Sequence, residues 1–250
     1  MRQELRHKWI AAGYGPTMGS AEVVPPPPRG IRRVYYFTSA EFAKDDIVHG
    51  RLKVARISEL NDPFEFLSLN FRQMSERYII DYFKNDYDRH TGLLCFSQNW
   101  TSPVLWSHYA DKHRGVCLGF NMRKDLLKEV HYIEKRAMIT VGNEMSALRV
   151  LEDLEEFVLR TKYDHWRYEE EFRYFVLLRD ADEDRERKLH FYSFGDTLTL
   201  AEVILGPYCD LSLDDAKRLV KDHCPNSVTT FPTRLASQWF AVVPHEDYVP

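Results

Sequence analysis

The sequence is short of paired cysteines. Its four, Cys95, Cys117, Cys209 and Cys224, stand far apart with no CxxC among them, which speaks against both a structural zinc and a disulfide framework. Thiols set in apolar runs, as Cys95 and Cys117 are, behave as small buried hydrophobes, so a reducing compartment, a cytoplasm, is expected. No stretch reaches the ~18 consecutive apolar residues of a membrane span. The N-terminal MRQELRHKWIAAGYG lacks the apolar run of a secretory signal, and no membrane partner is expected. Basic excess is missing as well: 34 Lys and Arg face 38 Asp and Glu, which excludes a protein built to coat nucleic acid or anionic lipid but leaves room for a local basic groove. GxGxxG, GxxxxGK[ST], HExxH and GxSxG are all absent, and with them the usual marks of nucleotide loops, zinc proteases and hydrolases. There is no internal repeat.

What is present is the composition of a folded domain. At 44% hydrophobic and 29% charged over 250 residues, the chain can bury a large core. Pro25 to Pro28 followed by Gly30 form a stiff spacer, so residues 1–30 read as an N-terminal arm and Pro-rich linker, and 31–250 as one domain. Arg33 to Phe37 has strand composition; Ser39 caps a helix from Ala40 that Gly50 ends. Further strands are expected at 51–55, 93–97, 116–120, 174–178, 201–206, 228–231 and 239–243. Further helices are expected at 72–88, after Ser102-Pro103, along the apolar stripe Met145, Leu148, Leu151, Leu154, Phe157 and Val158, and after Ser212 with Asp215. Charge-dense residues 180–188 read as a solvated loop. Short strands without regular βαβ alternation indicate an α+β fold, not a doubly wound one.

Three segments carry candidate chemistry. In WRYEEEFR, Trp166 to Arg173, strand alternation would place Glu169, Glu171 and Arg173 on one face. A buried strand follows, so Glu171 would sit where solvent meets core, with Arg173 available to offset its desolvation. Two carboxylates on one face suit acid–base work or the gripping of sugar hydroxyls; the alternative is a solvated strand end with a surface ion pair. In NDPFEF, Asn61 and Asp62 read as a turn with Phe64 and Phe66 inserted in the core, and Glu65 is left open. In WSHYADKHRG, Trp106 and Tyr109 are spaced to seal the core, and His108 is either an acid–base or phosphate-binding group or a solvated helix residue. Lys162 and Trp166 are i,i+4 if the long helix extends that far, which would set a cation beside the glutamates.

NDPFEF, CFSQNW at 95–100, LWSHYADKHRGVCLGF at 105–120, VHY at 130–132, KYDHWRYEEEFR at 162–173 and EVILGPYC at 202–209 together resemble domain-of-unknown-function family 2971. A weaker likeness is to ADP-ribosyltransferases: Tyr35 to Ser39, Cys95 to Ser97 and Glu169 to Glu171 follow the order of their strand-one aromatic or basic residue, strand-two serine and ExE glutamate. That likeness implies a split, mostly antiparallel sheet around a cleft, flanked by helices, with NAD as co-substrate and no metal. It gives Glu171 a catalytic role and sets Tyr36 and Ser97 at the cofactor cleft; the segments read above add Glu169 as a second catalytic candidate and His108, Arg173 and Trp166 as further residues expected around the cofactor. Tyr36 would orient the nicotinamide, and Glu171 would hold the ribose and stabilise its cationic transition state. The sequence departs from the arginine class in having Tyr on strand one, and it has no STS triplet. The implied function is an NAD-consuming transferase or glycohydrolase acting as a toxin or phage-defence effector, with a small nucleotide ligand and a macromolecular acceptor. Two other classes are weighed: a non-enzymatic sensing or interaction module, and a nuclease holding Mg²⁺ through Asp62, Glu65, Glu169 and Glu171.

Overall fold

The computed structural model describes residues 23–71, 74–139 and 155–248. Residues 1–22 of the expected arm, and Met145, Leu148, Leu151 and Leu154 of the expected long helix, lie outside these residues.

The centre of the fold is an eight-stranded sheet: β1 Ile31–Thr38, β2 Thr91–Ser97, β3 Val116–Arg123, β4 Lys128–Glu129, β5 Glu171–Leu177, β6 Thr199–Leu205, β7 Thr229–Leu235 and β8 Val242–Pro244. They lie in the order β8-β7-β6-β3-β1-β2-β5-β4. Every neighbouring pair is antiparallel except β6–β7. Among the described residues the α-helices are α1 Ala40–His49, α2 Met74–His90, α3 Pro103–Tyr109, α4 Glu155–Leu159 and α5 Leu213–His223. An α+β domain with a mostly antiparallel sheet is therefore what the chain forms.

Local chemistry accounts for the element ends. The Ser39 hydroxyl accepts from the Phe42 N–H at 3.2 Å, relieving one of the orphan donors at the start of α1. Gly50 ends α1 at φ 59°, where a side chain would be strained, and its N–H returns to the Asp46 and Ile47 carbonyls. Ser212 caps α5 by accepting from the Asp215 N–H at 3.1 Å. In α3 the indole of Trp106, fully buried, donates to the Trp100 carbonyl at 2.6 Å, so its one polar group is satisfied inside the core.

Strand alternation sends side chains to two faces. Val34, Leu94, Phe96, Leu118, Phe120, Phe172 and Val176 form the main core with α1 and α5. On the other face are two separate apolar clusters. One, around Trp100, Trp106, Cys117, Ile204 and Phe231, lies under α3; the other, around Ile57, Phe66, Leu69, Leu93 and Leu159, lies against α2. Each fully buried side chain of this size contributes roughly 1.5–3 kcal/mol. The polar site occupies the seam between these two clusters.

The sheet opens at that seam. β1 pairs with β3 all along, from Ile31↔Arg123 to Thr38↔Val116, and β2 with β5 from Thr91↔Leu177 to Ser97↔Glu171. Between β1 and β2 the register holds at Tyr35↔Ser97 alone. Two well-laddered halves thus meet at one pair of residues, and a gap opens beside it.

Several expectations need correcting. The final strand is Val242–Pro244, later than expected, and Phe240 projects into solvent. Residues 180–188 are exposed as expected, yet Asp182–Asp184 forms a short strand with Leu189–Ser193. Lys162 lies on a strand, Thr161–Tyr163, paired in parallel with His131–Ile133, because the helix before it ends at Leu159.

Candidate functional site

WRYEEEFR is two elements. Asp164–Glu169 is a 3-10 helix, Glu170 ends it in the left-handed region at φ 45°, and β5 starts at Glu171. Alternation therefore holds for Glu171 and Arg173, which share a face, but Glu169 reaches the same place by a different route, from the last residue of the 3-10 turn. The Glu171 N–H is received by the Tyr132 hydroxyl at 2.9 Å, which pins the start of β5.

Arg173 has no exposure at all. Its Nε donates to Glu171 Oε1 at 2.8 Å, its Nη2 to Glu65 Oε1 and Oε2 at 2.9 and 3.0 Å, and its Nη1 to the Leu159 carbonyl at 3.0 Å. Lys162 Nζ sits among three carboxylates, 2.6 Å from Glu169, 3.3 Å from Glu171 and 3.3 Å from Glu65, and 4.9 Å from the centre of the Trp166 ring. The Tyr109 hydroxyl donates to Glu169 Oε1 and receives Asn61 Nδ2 at 2.7 Å. Three buried carboxylates thus share two buried cations.

Glu65 is delivered by the NDPFEF turn. The Asp62 carboxylate accepts from the Phe64 N–H at 2.9 Å and the Asp62 carbonyl from the Glu65 N–H at 3.0 Å, the expected turn chemistry. The fold turns Glu65 and Phe66 inward and leaves Phe64 58% exposed, so Phe64 is not the core residue its spacing suggested.

The cluster's charge imbalance falls on one group. Burial opposes the Glu171 carboxylate, but Arg173 and Lys162 outweigh it and draw its pKa from 4.5 down to about 2. Burial also opposes the Lys162 ammonium, and Glu171, Glu65 and Glu169 more than restore it, holding its pKa above the usual range. For Glu169 burial wins: its pKa is raised, with Lys162 compensating only in part. The result is two carboxylates pushed in opposite directions, Glu171 held ionised by its two cations and Glu169 with its charged form disfavoured by burial, the arrangement from which acid–base assignments are read.

The pH dependence follows with a definite sign. Glu171 has a lower pKa folded than unfolded, so its charge stabilises the fold above about 4.5 and that contribution is lost as pH falls towards about 2. Urea midpoints taken at pH 5, 3.5 and 2.5 are expected to fall steadily in wild type; midpoints that stay level across that window would contradict the buried pairing.

A pocket of about 280 Å³ opens over this cluster, lined by Tyr35, Phe37, Ser97, Tyr109, Lys162, Glu169 and Glu171 among others. Tyr35, Ser97 and Glu171 are in direct register on three adjacent strands. Tyr36 is the correction here. It borders the same gap, but its ring packs in the main core, edge-on to Phe96 at 6.2 Å, since β1 alternation sends it to the opposite face from Glu171. Tyr35 is the tyrosine that faces the site, and burial followed by Glu202 pushes its hydroxyl pKa upward. Arg173 is likewise corrected as a ligand contact: it is sealed within the protein, its donors already engaged. The Ser97 hydroxyl donates to the Asn99 carbonyl at 3.0 Å and accepts from the Asn99 N–H at 3.1 Å, tying off the end of β2. Trp166 is half-buried above Lys162, and His108 is exposed, 3.2 Å from the Tyr168 hydroxyl. Tyr109 does not simply seal the core; its hydroxyl belongs to the site. Asn61, Tyr109 and Tyr132 were missed as site residues, and only long-range pairing reveals them.

Among the described residues no group of three or more His, Cys, Asp and Glu is arranged to hold a metal ion. Glu65, Glu169 and Glu171 do converge, but the Lys162 ammonium fills the space between them, and Asp62 is spent on its own turn.

Compared with known proteins, residues 105–174 match the family described as a protein of unknown function, DUF2971. That stretch runs from α3 through Arg173, and it bears out the family resemblance of the motifs there. No curated protein and no solved structure matches the chain.

Proposed function

We propose that the pocket binds the nicotinamide–ribose end of NAD and that the protein is an NAD-consuming enzyme of the ADP-ribosyltransferase type, acting by transfer or by glycohydrolysis. The observation that carries this reading is the row Tyr35, Ser97, Glu171 across the single point where the sheet's two halves meet, beside a pocket of about 280 Å³. Ligand cavities run from ~300 Å³ upward, so this one suits a ring and its sugar and leaves the rest of a dinucleotide outside.

NAD supplies a glycosidic carbon whose bond to the nicotinamide nitrogen breaks with its electron pair, leaving positive character on the sugar. Tyr35 and Phe37 provide an aromatic wall for a flat ring. Glu171, itself buried and kept ionised by Arg173 and Lys162, places fixed negative charge where that positive character develops. Glu169, with its raised pKa, takes the proton of the attacking water or acceptor group. The four cysteines are free thiols, and no helix among the described residues is long and apolar enough to cross a membrane; both accord with work in a reducing cytoplasm.

A second reading, a binding module without turnover, is favoured by one observation: both Glu171 oxygens already have cationic partners. Thermal unfolding separates the readings. NAD at ~100 times its Kd is expected to add about 2.7 kcal/mol of apparent stability, with Mg²⁺ adding nothing. Stabilisation by Mg²⁺ and not NAD would contradict the proposal, and stabilisation by NAD that is recovered intact would leave the binding module.

A further inference from the structure

We propose that a second cavity, beside the charged cluster but outside the pocket described above, binds a free mononucleotide, its base against Phe64 and Tyr163 and its phosphate on Lys135 and Arg136. The site goes beyond the NAD reading and stands without it.

Strand pairing builds the cavity. Leu69–Phe71 pairs in parallel with Ala137–Ile139, and Thr161–Tyr163 pairs in parallel with His131–Ile133. Residues 134–136 join the two partner strands and so bridge the two small sheets. A cavity of about 380 Å³ lies there, walled by residues from 64–68, 133–136 and 161–163. That volume is in the range of small-ligand sites, from ~300 Å³ upward. Lys162 is the one residue its walls share with the first pocket, and the Lys162 ammonium is committed to Glu65, Glu169 and Glu171. The two cavities are therefore distinct sites with one side chain in common.

The walls suit a flat ring. Phe64 is 58% exposed and Tyr163 42% exposed, and both border the cavity. Phe64 is left outside because its turn sends Glu65 and Phe66 inward, and Tyr163 because strand alternation gives the inward place to Lys162. His165 stacks on Tyr163 at 4.6 Å and 20°, which fixes the plane of that ring. Aromatic rings beside a cavity gain by stacking on a nucleobase, and every base has a face to offer.

The rim supplies the charge. Lys135 and Arg136 are exposed side by side in the lining, with Glu134 its one acidic residue. Arg136 Nη2 donates to the Leu69 carbonyl at 2.5 Å, which steadies a guanidinium whose planar fork matches phosphate oxygens. Ser68, in the same lining, is 6% exposed and its hydroxyl has no hydrogen-bond partner. Buried polar groups are nearly always paired, and the sugar or base edge of the nucleotide is the partner this site assigns to Ser68. With 34 Lys and Arg against 38 Asp and Glu, the chain has no basic excess to track a nucleic-acid strand, so the ligand is a single nucleotide.

Calorimetric titration of the full chain with the four ribonucleoside monophosphates, with ribose 5-phosphate and inorganic phosphate alongside, tests this. At least one monophosphate is expected to bind saturably, and the two base-free phosphates at least ~tenfold more weakly, the share that stacking contributes. Phe64→Ala is expected to weaken nucleotide binding by about tenfold. Lys135→Ala is expected to weaken it less and to lessen its fall with added salt. Both side chains are exposed, so neither substitution is expected to move the urea midpoint, and NAD affinity is expected to be unchanged in both. No binding by any monophosphate, binding that either substitution leaves unchanged, or inorganic phosphate binding as tightly as the nucleotides overturns the site. NAD affinity that falls in step with mononucleotide affinity in Phe64→Ala makes the cavity the far end of the NAD site and overturns its independence. A chain that binds a mononucleotide through Phe64 and neither binds nor cleaves NAD overturns the functional reading instead and leaves this site standing.

Discussion

Arg173→Met is expected to lower the unfolding free energy by about 3–5 kcal/mol, the usual cost of removing one partner from a buried ion pair. The guanidinium has no exposure and holds Glu65 and Glu171 together while also donating to the Leu159 carbonyl. Methionine keeps much of the volume but leaves three buried carboxylates, Glu65, Glu169 and Glu171, to share the one cation Lys162. Burying that surplus charge is what costs the stability, more than the lost attraction itself. The same logic predicts a partial rescue: Glu65→Gln in the Arg173→Met background removes one uncompensated charge, so the double variant is expected to be more stable than the two separate losses would sum to. Urea unfolding at pH 7 reads this directly through the midpoint at constant slope. Additive losses, or an Arg173→Met midpoint equal to wild type, would mean the cluster is not coupled as its distances indicate.

Glu171→Gln is expected to reduce kcat by about 10²–10³, the loss typical of deleting one preorganised group that stabilises transition-state charge. Glutamine has the shape of glutamate and still accepts from Arg173, so the strand and the pocket wall persist. What disappears is the negative charge that Arg173 and Lys162 keep ionised far below neutral pH. Because that charge acts on a cation that exists only as the glycosidic bond breaks, NAD affinity is expected to change little while turnover collapses. A rise in KM at constant kcat would assign Glu171 to ground-state binding. Unchanged kinetics would remove it from the chemistry.

Much of the architecture is legible in the sequence because it is locally encoded. Ser39, Gly50 and Ser212 mark helix ends through chemistry confined to a few residues, and the short apolar runs around Val34, Leu94 and Leu118 fall on strands of the main sheet. The site is legible only in part. Glu171 and Arg173 follow from strand alternation, but Glu169 does not, because Glu170 adopts a left-handed φ that breaks the period between them. The choice of Tyr36 over Tyr35 fails for a related reason: two adjacent aromatics both suit a strand, and only the register with Ser97 and Glu171 shows which one shares their face. Lys162 is expected beside the glutamates from helical spacing and arrives there from a strand. Asn61, Tyr109 and Tyr132 join the cluster from segments far away in sequence, and such pairings leave no local trace.

The most direct test of the account is the fate of NAD labelled in its nicotinamide ring, incubated with the wild-type chain and analysed for free nicotinamide and ADP-ribosyl products. The account predicts saturable release of nicotinamide, matched mole for mole by ADP-ribose or an ADP-ribosylated acceptor. NAD recovered intact, with an acceptor-containing extract present as well as without it, would contradict it.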